Sequence, residues 1–178
     1  MPFFKEGIDR GEQAFHIIDR RLHGDHVGAC REYGIDVDRA QRDGLLEIKH
    51  WEDAYLKDGY FDTERMLALV EGVVAGKGDT AKPGRLMGNM EWALETFPGV
   101  ADLVEYESKL NYILPKYRDT AVCVYDVNQH SGKVVMDVLR THPMVIIGGV
   151  LQENPLYVPP DEFLQELKTR KAAGQAVS

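Results

Sequence analysis

The two most strand-like apolar runs in the chain, Ala121 to Tyr125 and Met144 to Ile147, flank a segment whose Val134, Val135, Val138 and Leu139 fall on one helical side. Neither run alternates apolar with polar residues, the pattern of strands covered on both faces. The stretch therefore predicts a strand, helix, strand unit with a right-handed crossover. Gly148 and Gly149 after the second run predict a turn with positive φ. Asn154 to Pro160, fixed at three prolines, predicts a stiff surface strap, and Asp161 starts a last helix.

Upstream, Pro2 to Arg10 reads as a short helix closed by Gly11, and Ala14 to Ile18 as a strand ending at Asp19. Asp25 to Tyr33 reads as a helix capped by Asp25 and stopped by Gly34. A polar stretch leads through Arg39 to Asp43 into a strand, Leu45 to Lys49, that ends at His50 and Trp51. Trp51 to Tyr60 sets aromatic residues among acids and reads as an irregular turn. Asp62 caps the clearest helix, with Met66, Leu67, Val70, Val73 and Val74 at helical spacing and Phe61 placed to staple onto Met66. Leu86 to Met90 is a further strand, ending at Glu91 and Trp92. Val100, Leu103, Val104, Leu110 and Leu114 mark the buried face of a helix that ends near Pro115.

This alternation predicts an α/β fold, a doubly wound, mostly parallel sheet of about five strands flanked by helices. Its strands end at Asp19, His50, Glu91, Asp126 and Gly148, all on the edge where open parallel sheets hold ligands. Asp19 and Asp126 have a second use as caps of the helices that follow. Glu107 lies on the apolar stripe of its helix. A carboxylate there either reaches water at the helix edge or must be protonated, paired or bound to a ligand; the sequence leaves both open.

With 178 residues the chain suits a single domain, 1–178. The net charge of −8 is spread along it, which argues against a nucleic-acid surface. No apolar run approaches a bilayer span and no secretion signal is evident, so the expected setting is the cytoplasm, away from membranes. Two cysteines, Cys30 and Cys123, fit that reducing compartment. His23-x-x-His26 beside Asp25 reads as polarity on an exposed turn, and no metal ligands are assigned. The loop around Lys77 lacks the G-x-x-x-x-G-K-[ST] spacing and follows a helix, so neither ATP nor any other cofactor is expected.

Five pieces follow in order along the chain: Phe3 to Asp19, Tyr106 to Asn111 (YESKLN), Val122 to Asp126 (VCVYD), His142-Pro143 with Ile146 to Gly149, and Asn154 to Pro160. Together they resemble the MEDS family of sensory domains from methanogens and methylotrophs, named partly for the repressor of dichloromethane dehalogenation and distantly similar to the KaiC and RecA-like ATPase fold. The resemblance implies a ligand-sensing role in prokaryotic signalling or transcriptional control, with a small hydrocarbon derivative as ligand and a signalling protein as partner. It also implies a first strand before the Phe3 helix that this chain lacks. The open edge this leaves predicts a homo-oligomer.

The expected function is a non-catalytic small-molecule sensor. Its binding residues are Glu91 and Glu107 to orient a polar head group, Trp92 and Tyr125 as walls with a polar tip, Cys123, and His142 as a hydrogen-bond donor. The first rival is a cysteine enzyme with Cys123 as nucleophile and His142 as base. Against it, Cys123 sits in mid-strand, where nothing stabilises a thiolate. The second rival is an oligomeric interaction module, which the absence of a pocket-sized cavity would favour.

Overall fold

The computed structural model describes residues 1–75 and 82–174; the Lys77 loop lies outside the described residues. Helix α1 (Pro2–Asp9) carries proline in its first turn, and Gly11 at φ 71° turns the chain into strand β1 (Gln13–Ile18). Helix α2 (His23–Glu32) begins two residues before the Asp25 expected to cap it, so Asp25 lies in the first turn, where a negative charge suits the helix dipole. Helix α3 (Val37–Arg42) is capped by Asp36, whose side chain accepts from the Arg39 N–H at 3.0 Å. Strand β2 (Leu46–His50) runs into two short 3₁₀ turns that bury Trp51 and Tyr55.

Helix α4 (Thr63–Ala75) has the cap read from sequence, with the Arg65 N–H donating to Asp62 at 2.7 Å. Strand β3 (Gly84–Asn89) follows. Helix α5 (Leu103–Leu110) starts after a single 3₁₀ turn at Val100 and ends short of Pro115. Strand β4 (Thr120–Val124) completes a four-stranded, all-parallel sheet in the order β2-β1-β3-β4. Helix α6 (Gly132–Leu139), capped by Ser131, closes the alternating part of the chain.

The fifth strand expected in this sheet is not there. Met144–Ile147 (β5) pairs antiparallel with Val150–Glu153 (β6) in a separate hairpin, with Ile147 opposite Val150 and Met144 opposite Glu153. The crossover read from Thr120 to Pro160 therefore stops at α6. The cause is the pair Gly148 and Gly149, both at positive φ (58° and 81°), which makes a two-residue turn whose twist matches a hairpin. Ile146, Ile147, Val150 and Leu151 are each more than half exposed. An aliphatic run thus lies at the surface where the sequence suggested burial. Beyond it, the strap from Asn154 leads into helix α7 (Pro160–Ala172).

Helices cover both faces of the sheet. On one, Ala14, Leu46 and Met87 pack with Phe4, Cys30 and Val37 from α1, α2 and α3. On the other, Phe15, Ile17, Leu86 and Ala121 meet Met66, Val70 and Val74 of α4 and Leu103, Tyr106 and Leu110 of α5. The outer side of α5 is covered in turn by Phe163 and Leu167 of α7. Arg140 holds Glu166 with two hydrogen bonds (2.9 and 2.6 Å), and Arg170 reaches both oxygens of Asp137 at 2.8 Å, tying α7 to α6. Among the described residues no helix is long and apolar enough to cross a membrane.

The first face also contains a buried histidine. His16 of β1 places Nε2 2.9 Å from Asn89 Oδ1 and Nδ1 3.1 Å from His26 Nε2. With Asn89 accepting from Nε2–H, Nδ1 is left to accept from His26. Burial, then the neighbouring His26, pushes His16 down from 6.5 to about 3, so it stays neutral. The unfolded chain binds a proton here below about pH 6.5 that the folded chain refuses, so stability is complete above that pH and falls as the pH drops towards 3. Replacing His16 by Gln should flatten that decline by up to about 1.4 kcal/mol per pH unit. Urea titrations of both proteins between pH 7 and pH 4 check it, and parallel pH profiles would disprove it.

Candidate functional site

Glu107 anchors the site. It belongs to the stripe of α5 that faces the sheet with Leu103, Tyr106 and Leu110, and its side chain has no exposed surface. Across from it, the alternation of β4 points Ala121 and Cys123 at α5, and Tyr125 continues the same face one step past the strand. The Tyr125 hydroxyl donates to Glu107 Oε1 at 2.5 Å and the Cys123 thiol donates to Oε2 at 3.3 Å. His142 Nε2 stands 3.5 Å from the same Oε2.

The turn after α6 positions His142. Its Nδ1 lies 2.8 Å from the Val138 carbonyl, and Asn111 Nδ2 donates to the Thr141 carbonyl at 2.8 Å. Asn154 Nδ2 donates to the carbonyls of Leu139 (2.6 Å) and His142 (2.8 Å). A ring about one quarter exposed is thereby fixed as the lip of an otherwise enclosed group.

Burial, then the charge of Glu107, pushes Cys123 and Tyr125 well above their ordinary values. Burial first, with neighbouring phenol, thiol and carboxylate charges adding to it, does the same to Tyr55 and Tyr106, which hydrogen-bond to each other. The arrangement is one carboxylate among retained thiol and phenol protons, the reverse of an activated nucleophile. A cavity of about 30 Å³ adjoins the cluster, walled by Phe15, Ile17, Val70 and Leu86, with Tyr55, Tyr106 and Cys123 on its boundary.

Of the six residues singled out from sequence, Glu107, Cys123, Tyr125 and His142 meet in this one cluster. Trp92 lies fully buried in the core, stacked on Tyr55 (centroids 4.7 Å apart) and Phe61 (4.5 Å), with an indole N–H that has no partner. Glu91 follows β3, and its Oε2 is buried without a hydrogen-bond partner. The negative charge of Glu91 acts on His130, whose own Nε2 is also buried and unpaired. His130 meets the Tyr125 ring edge-on at 5.2 Å. Sequence reasoning missed Tyr55, Tyr106 and His130. Tyr106 keeps helical spacing with Leu103 and Leu110 and was findable; Tyr55 and His130 lie in irregular turns that carry no periodic signal.

His23 and His26 do not form a site together. They lie on α2 and not on an exposed turn, and they separate, His23 contacting His50 (3.0 Å) and buried His26 contacting His16. Among the described residues, the cluster of three or more metal-ligating side chains is Glu107, Cys123 and His142, one donor atom from each lying within 4.8 Å of the others.

Gly88 of β3, opposite Cys123 in the register, leaves room for the Tyr55 hydroxyl, which would lie 2.2 Å from any Cβ there. Tyr55 is stacked on Trp92 and has nowhere to go. Gly88→Ala should therefore cost about 1–3 kcal/mol of stability by overpacking. Adding Tyr55→Phe, which removes the clashing oxygen, should recover part of it. Denaturant melts of both singles and the double check this, and strictly additive losses would refute the packing argument.

The comparisons with known proteins agree with this architecture. A crystal structure of a KaiC-like protein from the archaeon Pyrococcus horikoshii superposes with a TM-score of 0.50 at 19% identity, covering 72% of this chain and 56% of that one. It shares the fold, a parallel sheet flanked by helices. The transcriptional repressor DcmR of Methylorubrum extorquens is 25% identical over 154 residues, 80% of this chain and 51% of the repressor. The chain thus spans about half the length of that relative. Residues 1–143 match the family described as the methanogen/methylotroph, DcmR sensory domain, which takes in the sheet, α5 and all four clustered residues. The chain belongs to the MEDS family of sensory domains.

Proposed function

We propose that this domain is the sensory part of a regulator, binding a compact small molecule beside Glu107, Cys123, Tyr125 and His142. The observation that carries the reading is the enclosed Glu107 carboxylate. A carboxylate at such depth kept for stability alone is expected to face lysine or arginine; this one faces a thiol, a phenol and an imidazole. Groups that both donate and accept suit a site that exchanges partners. The adjoining cavity of about 30 Å³ admits no more than a few heavy atoms and is mostly apolar. This supports a hydrocarbon derivative with one polar end. The thiol held protonated by burial speaks against the cysteine-enzyme reading.

The relative named as a transcriptional repressor supports a regulatory output, placed in a segment or partner beyond this domain. Free Cys30 and Cys123 suit a cytoplasmic setting. The surface offered to a partner is the hairpin. Its register places Met144, Ile146 and Leu151 on one face and Val145, Ile147 and Val150 on the other. A ribbon apolar on both faces is not covered by packing one face on its own domain. A second copy of the chain, packing ribbon against ribbon about a two-fold axis, covers the face that carries Ile146 and Leu151.

Two measurements test these readings. Glu107→Gln keeps the shape and the contact to Tyr125, and its amide can donate to His142 Nε2. Stability should change by less than about 1 kcal/mol, while binding of one-carbon probes such as methanol or dichloromethane, followed by ligand-observed NMR, should weaken more than about tenfold, ~1.4 kcal/mol. A large loss of stability with unchanged probe binding would sink the pocket. For the hairpin, light scattering should give twice the 20.1 kDa chain mass and the single mass for Ile146→Lys with Leu151→Lys; a wild-type monomer would refute the clasp.

A further inference from the structure

We propose that Glu107, Cys123 and His142 form a three-ligand site for a borderline-soft divalent cation, Zn²⁺ by preference, with its fourth position open to a small molecule. The donor set is one sulfur, one nitrogen and one oxygen, mutually within 4.8 Å. Metal–ligand lengths of roughly 2.0–2.3 Å in a tetrahedral site put neighbouring ligand atoms about 3.3–3.6 Å apart. Two edges already have that spacing, Cys123 Sγ to Glu107 Oε2 at 3.3 Å and His142 Nε2 to the same oxygen at 3.5 Å. The sulfur–nitrogen edge lies within 4.8 Å.

The orientation of His142 is independent support. Its Nδ1 sits 2.8 Å from the Val138 carbonyl, which has no hydrogen to give, and 3.0 Å from the Thr141 hydroxyl, which donates its own proton to that same carbonyl at 2.8 Å, so Nδ1 carries the proton. In the neutral ring, Nε2 then turns a lone pair towards a carboxylate oxygen. A proton shared between them would draw the pair to about 2.7–2.9 Å. At 3.5 Å the gap is too long for that bond and suits a cation instead. A backbone carbonyl on the far nitrogen is also the usual support of a metal-bound histidine, and Tyr125 secures the other carboxylate oxygen in the same way.

The charges balance. On binding, the Cys123 thiol gives its proton to solvent, and thiolate plus carboxylate then neutralise a divalent ion in a site too enclosed to leave charge uncompensated. Cys30, the other thiol, makes no such site. Its histidine neighbour His26, at 3.6 Å, is already engaged by His16.

The proposal rests on the sensor reading only for what occupies the fourth position; uptake of the cation needs the trio alone. The test titrates Co²⁺, a coloured substitute for Zn²⁺, into the chelator-treated full chain. The expected result is about one equivalent bound, with thiolate-to-cobalt charge-transfer absorption and the strong visible bands of a four-coordinate ion, all bleached by added Zn²⁺. Cys30→Ser should keep these bands and Cys123→Ser should lose the charge-transfer absorption. Tyr125→Phe and His142→Gln should weaken uptake by at least about tenfold. No charge-transfer band in the wild type, or one that survives Cys123→Ser, overturns the site. If Cys123→Ser fails to fold, His142→Gln decides, and unchanged uptake by that folded variant overturns the site too. Cobalt uptake without any response to methanol or dichloromethane leaves the metal site standing and removes the ligand reading, whereas a response to those probes by a chain that takes up no Co²⁺ overturns the metal site alone.

Discussion

Enclosing the Glu107 carboxylate between α5 and β4 is the constraint on which the surrounding structure depends. A carboxylate taken that far from water needs hydrogen-bonded partners to replace the water, and here they come from β4 and its end, Cys123 from the middle of the strand and Tyr125 from the first residue beyond it. His142, from the turn after α6, sets its Nε2 3.5 Å from the same carboxylate. Each has to arrive with its polar atom aimed at the same two oxygens. That requirement explains why Asn111 and Asn154 spend their side-chain amides on the backbone around Thr141 and His142, and why α7 is clamped to α6 by paired arginines.

The opposite face of the sheet carries a second polar knot, built on other principles. His16, His26 and Asn89 satisfy one another with neutral hydrogen bonds, and burial keeps His16 uncharged. A neutral knot is self-sufficient and joins β1, β3 and α2 without needing anything from outside. The Glu107 cluster is different in kind, since its carboxylate meets a thiol, a phenol and an imidazole rather than a cationic side chain. The proposed ligand site sits on the second of these networks, whose lip, the His142 ring, is about one quarter exposed.

Much of this was legible in the sequence, for identifiable reasons. The helical spacing of Met66, Leu67, Val70 and Val74 and the cap at Asp62 located α4 to within a residue. The parallel strands announced themselves through unbroken apolar runs, and Glu107 through its place within an apolar stripe. Cys123 and Tyr125 followed from the alternation of one strand, and His142 from family resemblance. The error at Met144–Ile147 has an equally definite origin. An apolar run reads the same whether helices cover it or it stands exposed in a hairpin, and the deciding feature was the two-residue Gly148-Gly149 turn leading into a second apolar pair, Val150 and Leu151. The irregular turns bearing Tyr55 and His130 gave nothing to read, because their positions are set by tertiary packing alone.

The hairpin and the cluster are also physically joined. His142 is followed by Pro143 and then by the first residue of β5, while the far end of the hairpin returns through Asn154. Its N–H donates to the Pro143 carbonyl at 3.0 Å, and its side chain holds the carbonyls of Leu139 and His142. The root of the ribbon and the lip of the site are therefore one hydrogen-bonded unit. A ligand shifts an equilibrium only by its differential affinity for two states, so a sensor needs an element whose arrangement differs when its site is filled. On the proposed sensor reading this root would be that element, because any displacement of the His142 ring would act on the peptide that Asn154 holds, and through it on the two-stranded ribbon.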